Sequence, residues 1–453
     1  MATAARAVRV AAMTFVLGCG DSGGSSDGPM PATDTGSTGS STTDEDTSPT
    51  STGTDPCPTP AVGCPCGPDG VCDDDLTCEA GVCSLPAGSS DETTGPSGPA
   101  ECGNGIAEAG ELCLRGSTPL AMQAGTSDVK LVDLDGDGRL DVITANRDAN
   151  TVSFRPGSGL GTFGAQTTHA VGEGPVSIGY GKFDDDRHVD VVTANLVAGT
   201  VTVLRGLGGG QLQNEGQFAV GAEPSALAVG DLDGDGRDDV VVVARFDGTV
   251  RVLRSSPAPF VVSNPSSVAA EGPAAVVLAD YANNAILDIV TGNRDANSIS
   301  LMLGNGMGGF GAAQTYPTGN VPSGIGAGDF NGNGLTDLAI VNAVSGTLAV
   351  RLGDGTGGFG AEIPYPACSG PEAVVVADLD NDGTPDAAVA CAGDNTVRVL
   401  LGTGTGAFAE AANIAVGAIP VGIAVGDLNE DGLLDVVTAN SGAGGISIVL
   451  SDA

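Results

Sequence analysis

The sequence predicts an all-β protein whose main part is a seven-bladed β-propeller with four-stranded blades. The first observation is a repeat: an acidic loop begins at positions 133, 182, 231, 280, 329, 378 and 427, so every step is 49 residues long. The second is that each repeat contains short apolar runs separated by turn residues, as in a four-stranded antiparallel sheet. The third is an abundance of glycine, 73 residues, beside only 3% aromatic residues. Seven units at one fixed period indicate a ring of blades.

The third repeat illustrates the four strands of a blade. Ala226–Gly230 enters the acidic loop, Val240–Ala244 leaves it, Thr249–Leu253 follows a four-residue turn, and Phe260–Val262 comes last. The first two runs are apolar throughout rather than alternating, so both of their faces should be buried. Because they are rich in Ala, Val and Gly, they suit strands that are crowded near a central axis.

The two ends of the repeat region predict how the ring closes. The seventh repeat stops at Ile446–Leu450, before its fourth strand, whereas an extra segment, Pro119–Gln123, precedes the first loop. Pairing these two segments would complete the seventh blade and remove both exposed sheet edges. We therefore assign residues 118–453 to the propeller and expect it to be monomeric.

Residues 1–19 have the features of a secretion signal. The apolar stretch Val10–Gly18 is too short to span a bilayer. The last four residues, Val-Leu-Gly-Cys, resemble the bacterial lipobox, which implies lipidation of Cys19. The resemblance implies a secreted protein, lipid-anchored at the bacterial outer membrane or cell surface, with no other membrane contact. A plain signal peptide is the alternative, because the first two lipobox positions depart from the usual residues.

The segments between the signal and the propeller have biased compositions. Residues 20–56 and 85–101 are rich in Ser, Thr, Gly and Pro, which predicts a disordered stalk and a linker. Residues 57–84 carry six cysteines and few large apolar residues, which indicates a disulfide-stapled module, with a zinc site as the alternative. Residues 102–117 resemble a short cysteine-rich repeat of bacterial surface proteins.

The charge of the chain limits its partners. There are 56 acidic and 17 basic residues, which gives a formal net charge of −39. Few cations are available to neutralise phosphates, so nucleic acid is excluded as a partner. The acidity suits either a solvated acidic surface that keeps the protein soluble or a protein that carries bound cations.

The recurring loop has the pattern Asp-x-Asp-x-Asp-Gly-x-x-Asp, numbered here as positions 1 to 9. Oxygen ligands at alternate positions of a tight turn can surround a hard cation that prefers six to eight oxygens, and the Gly permits the bend. The last acid stands at position 9 and the flanking segments are strands, so an EF-hand is excluded. Clustered carboxylates repel one another unless a cation is present.

This loop and the Phe-Gly pairs at Phe163, Phe310 and Phe359 resemble the FG-GAP family, or VCBS-like repeats, which includes integrin α-subunit propellers. The resemblance covers residues 118–453 and implies about five bound calcium ions. Three loops carry the full ligand set: Asp133, Asp135, Asp137 and Asp141; Asp231, Asp233, Asp235 and Asp239; and Asp378, Asp380, Asp382 and Asp386. Two loops carry Asn substitutions: Asp329, Asn331, Asn333 and Asp337; and Asp427, Asn429, Asp431 and Asp435. The loops of repeats two and four depart from the pattern at Lys182, Arg187, Ala282 and Ala285.

Two further features come from comparing the repeats. Cys368 and Cys391 stand where other repeats mostly have Gly and Asn, and a hairpin brings both to the same end of blade six, so we predict a disulfide. Arg147, Arg245 and Arg294 each follow a second strand, at the end of the blade opposite the acidic loops. They are candidates for a face that binds carboxylate or sulfate, although pairing with a nearby Asp is the favoured alternative.

Two classes of function remain open. The chain has two histidines and no nucleophile arranged with a base, so no catalytic constellation is predicted. The first hypothesis is therefore a binding or adhesion module for a protein or polysaccharide at the cell surface, and not an enzyme. The alternative is an extracellular hydrolase or lyase acting on polysaccharide, because propellers host many enzymes. Unassigned carboxylates around the axis would favour the enzyme.

Overall fold

The computed structural model describes residues 112–255 and 271–451, and the backbone of short strands outside these ranges. Cys19 and residues 20–56 and 85–101 lie outside the described residues, as do most of 57–84 and 102–117. The chain divides into two compact units, each with most of its contacts inside itself. One comprises Met1–Gly20 with Glu101–Ala453, and the other comprises Asp21–Ala100. In the second unit, Thr77–Glu79 and Val82–Ser84 form an antiparallel hairpin. No helix long and apolar enough to cross a membrane occurs in the part of the chain that the structure describes.

The first unit contains seven blades of four antiparallel strands, as the sequence predicts. The first strands are Thr126–Val132, Pro175–Gly181, Pro224–Gly230, Pro273–Ala279, Pro322–Gly328, Pro371–Ala377 and Pro420–Gly426. The second strands are Asp141–Asn146, Asp190–Asn195, Asp239–Ala244, Asp288–Asn293, Asp337–Asn342, Asp386–Cys391 and Asp435–Asn440. The third strands are Thr151–Arg155, Thr200–Gly206, Thr249–Arg254, Ser298–Met302, Thr347–Arg351, Thr396–Gly402 and Gly445–Val449. The fourth strands are Thr167–Ala170, Leu212–Ala219, Val261–Val262 with Ser267–Val268, Gln314–Pro317, Ile363–Pro366, Phe408–Ala415 and, in blade seven, Thr118–Ala121.

The first strands line the axis of the ring. Each contacts the first strands of the two neighbouring blades, and the seventh contacts the first. The second strands are buried along their whole length, which confirms the expectation from their continuous apolar runs. The first strands need small residues where they approach one another, because a Cβ added to Gly179 would lie 2.7 Å from the Leu227 side chain on the first strand of the next blade. A short strand, Phe15–Val16, pairs with the first strand of blade five.

The ring closes through the predicted pairing of its two ends. Thr118–Ala121 lies antiparallel to Gly445–Val449, with Leu120 opposite Ile446. The Arg115 backbone N–H donates to the Leu450 carbonyl at 2.8 Å, which extends the pairing. Blade seven is therefore built from both ends of the repeat region.

Arg155 of blade one adds a second tie to this closing strand. Its guanidinium donates to the carbonyl of Ala121 at 3.0 Å and to the carbonyl of Gly164 at 2.9 Å. Arg351 occupies the same place in blade five and donates to the carbonyls of Pro317 and Gly360. Each Arg thus joins its own Phe-Gly turn to the fourth strand of the preceding blade.

We expect Arg155→Ala to loosen ring closure, whereas Arg351→Ala should not. Arg155→Ala removes the two carbonyl bonds and a third bond to Gln166, and Arg351→Ala removes its two carbonyl bonds and an ion pair with Glu362. Each substitution should lower the free energy of unfolding by about 2 kcal/mol. The strand that Arg155 holds, Thr118–Ala121, belongs to blade seven, but the chain continues from it into blade one, so non-covalent contacts alone join it to blade seven. The strand that Arg351 holds follows the third strand of its own blade along the chain. Limited proteolysis near residues 112–125 should therefore accelerate in Arg155→Ala only. Equal cleavage of the two variants would contradict this role of Arg155.

Candidate metal centre

The seven acidic loops connect the first and second strands and therefore all lie at the same end of the ring. Position 1 follows the first strand directly, as Asp133 follows Val132, and position 9 begins the second strand. The backbone turns sharply at position 6, where φ is positive in every blade, for example 92° at Gly138. This turn brings the side chains of positions 1, 3 and 9 to one side of the loop.

The Asp at position 9 is a structural residue in all seven blades. One of its carboxylate oxygens accepts the backbone N–H of position 2, as Asp141 Oδ2 does from Leu134 at 2.8 Å. The other accepts a backbone N–H at the end of the third strand or the start of the turn that follows it, as Asp141 Oδ1 does from Gly157 at 2.8 Å. The seven residues are Asp141, Asp190, Asp239, Asp288, Asp337, Asp386 and Asp435, all buried. From the sequence, this Asp is predicted only as a metal ligand. Its presence in the two loops that depart from the pattern was the available signal for this second role.

Three loops bring three carboxylates together. In each, oxygen atoms of positions 1, 3 and 9 lie within 4.8 Å of one another. The groups are Asp133, Asp135 and Asp141; Asp231, Asp233 and Asp239; and Asp378, Asp380 and Asp386. These are the three loops for which the sequence predicts a full ligand set.

The electrostatics of these groups fit a bound cation. Burial, with a smaller contribution from neighbouring loop carboxylates, raises the pKa of Asp239 to about 6 and that of Asp386 to about 7, although the backbone N–H groups bonded to them oppose the shift. Asp233 Oδ1 and Asp378 Oδ1 are buried and accept no hydrogen bond. A divalent cation would satisfy these oxygens and offset the repulsion, so the residues fit an oxygen-ligated metal.

Position 5 does not join these groups. Asp137 Oδ1 accepts the backbone N–H of Arg139 at 2.9 Å, and Asp382 Oδ1 accepts that of Thr384 at 2.6 Å. The same contact is made by the equivalent residues Asp235, Asn333 and Asp431. This side chain therefore holds the backbone bend, and the structure leaves its predicted role as a ligand untested.

The loops of blades two and four show that the turn forms without a ligand set. In blade four, Asp280 accepts the backbone N–H of Asn284 at 3.0 Å and that of Ala285 at 2.6 Å, while Ala282 replaces the ligand at position 3. Position 6 keeps a positive φ, 63° at Ala285 and 75° at Arg187, where the other loops have Gly. These two residues are in a backbone conformation that costs a non-glycine residue free energy.

We expect Ala285→Gly to stabilise the propeller by about 0.5–1 kcal/mol. The relief of backbone strain in the folded state should exceed the additional conformational entropy that glycine loses on folding. The matched control is Gly334→Ala at the same position of blade five, where φ is 79° and an added Cβ would meet nothing within 4 Å. That change should destabilise by about 1 kcal/mol. Denaturant unfolding in the presence of chelator measures both, and an unchanged Ala285→Gly variant would contradict the strain.

At the opposite end of the ring, the three candidate arginines differ in their surroundings. Arg245 forms an ion pair with Asp295 of the next blade at 3.0 Å. Arg294 lies 3.9 Å from Glu372 of blade six. Arg147 is exposed at the surface. Two of the three therefore have a carboxylate partner in another blade, whereas the structural alternative predicts an Asp of the same hairpin turn.

The same turns carry exposed apolar side chains that the sequence analysis missed. Phe246, Val344 and Val197 occupy one equivalent position and are 79%, 69% and 56% exposed. Asp148 and Asp295 occupy this position in other blades. The repeat alignment alone could have found the three apolar residues, because three repeats have a large apolar residue at a turn position where the other four have Asp or Gly.

Cys368 and Cys391 are joined by a disulfide, with their Cα atoms 5.9 Å apart. In other blades, Gly at the first position packs on the Asn that ends the second strand. A Cβ added to Gly172 would lie 2.6 Å from Asn195 Nδ2, and one added to Gly417 would lie 2.6 Å from Asn440 Nδ2. In blades two, five and seven a larger residue at the Gly position would clash with this Asn, whereas in blade six both positions are Cys and the disulfide replaces the Gly–Asn contact.

Two carboxylates stand on the first strands near the axis. Asp128 is buried and forms an ion pair with Lys130 at 3.0 Å. Burial raises the pKa of Glu372 to about 7, while the nearby Arg294 opposes the shift. Neither residue was singled out from the sequence, because the inner strands read as apolar runs.

Fold and loops together define a β-propeller with repeated acidic turns between its first and second strands. The chain belongs to the FG-GAP-like repeat family, whose model matches residues 133–193, 182–242, 231–291, 280–340, 329–389 and 388–438. A search of curated proteins finds no significant sequence match.

Solved structures share the fold at low sequence identity. The propeller is similar to BBS1N crystallised in complex with ARL6DN, with 15% identity and a TM-score of 0.52, covering 75% of this chain and 96% of that one. It is also similar to a putative 6-phosphogluconolactonase from Bacteroides fragilis, with 17% identity and a TM-score of 0.50, covering 65% and 85%. A protein from Lactobacillus plantarum gives 14% identity and a TM-score of 0.50, covering 67% and 88%. At these identities the likeness concerns the fold alone.

Proposed function

We propose that this protein is a calcium-binding propeller that acts, secreted or lipid-anchored through Cys19 at the bacterial surface, as a binding or adhesion module. The observation that carries the proposal is the set of three carboxylate groups, two of which hold a buried oxygen with no hydrogen-bond partner. Family membership supports it, because the loops match the FG-GAP-like repeat over most of the ring. The ligand would be a protein or polysaccharide.

Calcium would be held mainly by positions 1, 3 and 9. The ion would supply positive charge to carboxylates that burial otherwise disfavours, and it would stabilise the folded state by mass action. Sites in extracellular modules bind with Kd values of about 10⁻⁴–10⁻³ M. The loops of blades five and seven, in which Asn331, Asn333 and Asn429 replace acids, should bind more weakly, which gives about five ions in total.

We expect Asp378→Asn to remove one bound calcium ion and to reduce the rise in melting temperature that calcium causes. A saturated site adds about 2.7 kcal/mol when calcium is a hundredfold above its Kd. The control is Asp280→Asn, the same change at position 1 of blade four, where Ala282 leaves no ligand set. It should alter neither the ion count by metal analysis nor the calcium-dependent shift. Two ions or fewer in the wild type, or a melting temperature indifferent to chelator, would refute the proposal.

The end opposite the calcium loops is the proposed contact face. Its turns present Phe246, Val344 and Val197 to solvent in a chain with few aromatic residues. Large exposed apolar side chains are typical of interaction sites, and aromatic residues contribute strongly to binding. Arg147 and the paired Arg245 and Arg294 lie in the same set of turns and would add polar contacts at their rim.

The alternative function, a hydrolase or lyase acting on polysaccharide, has one observation in its favour. Glu372 lies near the axis with a pKa raised to about 7, which suits a general acid or base. Glycoside hydrolysis needs a second carboxyl group placed across the scissile bond. The other axial acid, Asp128, is bonded to Lys130 and to the Ile178 backbone N–H. We therefore favour binding.

We expect the triple variant Val197→Ser, Phe246→Ser, Val344→Ser to bind at least tenfold less to intact cells of the source bacterium than the wild type does. Fluorescently labelled protein measures the amount bound. The control is Leu160→Ser with Met307→Ser, which removes side chains 75% and 70% exposed at the calcium-loop end. These exposed changes should leave folding intact, which circular dichroism checks. Loss of binding in the control, or full binding by the triple variant, would contradict the proposed face.

A further inference from the structure

The residue at position 2 of each acidic loop is bonded in two directions. Its side chain is buried, for example at Leu428 and Phe330, and its backbone N–H donates to the position 9 carboxylate of its own blade. The carbonyl of Phe330 accepts the N–H of Gly406, which belongs to the third-to-fourth turn of blade six, at 2.8 Å. Position 2 lies between two proposed ligands, so the backbone that carries them is tied to the neighbouring blade.

The same link recurs around the ring. In the described residues, a glycine N–H of one blade donates to position 2 or 3 of the preceding blade at 2.8–3.2 Å in five places. The donors and acceptors are Gly161 to Leu428, Gly209 to Asp135, Gly308 to Leu232, Gly357 to Tyr281 and Gly406 to Phe330. The links therefore do not depend on which loops carry a full ligand set.

Each turn that donates this N–H is also fixed to the acidic loop of its own blade. In blade six, the Gly402 N–H donates to Asp386 Oδ1 at 2.8 Å, four residues before Gly406. In blade one, Gly157 donates to Asp141 Oδ1 at 2.8 Å, four residues before Gly161. A continuous hydrogen-bonded path thus connects the loop of one blade with the position 9 carboxylate of the next.

We infer that calcium binding is positively coupled between neighbouring blades in two pairs, five with six and seven with one, while the site in blade three is independent. This inference rests on the proposed calcium function. Blades five and six both have ligand-bearing loops and share the Phe330–Gly406 link. Blades seven and one share the Leu428–Gly161 link. Blade three lies between the loops of blades two and four, which lack the ligand set.

The direction of the coupling follows from the path. An ion in blade five orders positions 1 to 3, which fixes the Phe330 carbonyl and the turn of blade six. That turn holds Asp386, so less ordering remains to be done when the second ion binds, and the effect is reciprocal. Repulsion between two ions acts in the opposite sense and is screened over about 8 Å at physiological salt. Tighter binding of the second ion would therefore indicate coupling through the hydrogen-bonded path, whereas through-space repulsion between the ions would weaken it.

Hydrogen exchange by mass spectrometry, followed across a calcium titration of the full chain, tests this loop by loop. The midpoint at which peptides covering residues 329–337 become protected should rise three- to tenfold in Asp378→Asn. In Asp427→Asn the midpoint for residues 133–141 should rise similarly. Asp380→Asn is a second variant for blade six if Asp378→Asn unfolds in chelator.

Two controls separate coupling from charge and from general destabilisation. Asp280→Asn removes the same charge on the other side of blade five without removing a site, and should leave the midpoint for residues 329–337 unchanged. Asp231→Asn should shift only its own loop, residues 231–239. The inference is overturned if Asp378→Asn leaves the midpoint for residues 329–337 in place or lowers it. If no loop of the wild type gains protection with calcium, the proposed function itself fails.

Discussion

The buried aspartate at position 9 is the interaction on which the architecture of each blade depends. Asp141 and its six equivalents accept backbone N–H groups from the acidic loop and from the turn after the third strand. A buried carboxylate is costly unless it is hydrogen-bonded, and these bonds also satisfy N–H groups that no strand pairs. One side chain thus fixes the first loop, the second strand and the neighbouring turn to one another, seven times around the ring.

Because this aspartate shapes the loop, the turn forms without a full set of acids at positions 1 and 3. Blade four keeps the turn with Ala282 at a ligand position, and blade two keeps it with Arg187 where the turn needs a positive φ. The remaining cost is backbone strain, which a packed ring can bear. The residues at positions 1 and 3 can therefore differ between blades without loss of the blade, whereas position 9 is Asp in all seven repeats.

The two ends of the ring differ in chemistry. One end carries buried carboxylates whose pKa values are raised by burial, and glycine turns that connect each loop to the next blade. The other end carries exposed apolar side chains, with Arg245 and Arg294 held by carboxylates of other blades. The proposed contact face therefore lies opposite loops that hydrogen bonds tie from blade to blade. The closing strand, which Arg155 holds, joins the last blade to the first and so completes the ring that carries both ends.

The sequence by itself determined the all-β class, the seven blades, the order of the strands and the closing segment, because a 49-residue period repeats every structural signal seven times. It also identified the matched cysteines of blade six and the three loops, in blades one, three and six, that carry a full set of acids. Only the tertiary structure decided which acids meet, because position 5 bonds to its own turn and position 9 serves the blade. It alone paired Arg294 with Glu372 and set Asp128 against the Ile178 backbone of the next blade, since these contacts join separate blades. Such contacts depend on the closing of the ring, which no local pattern encodes.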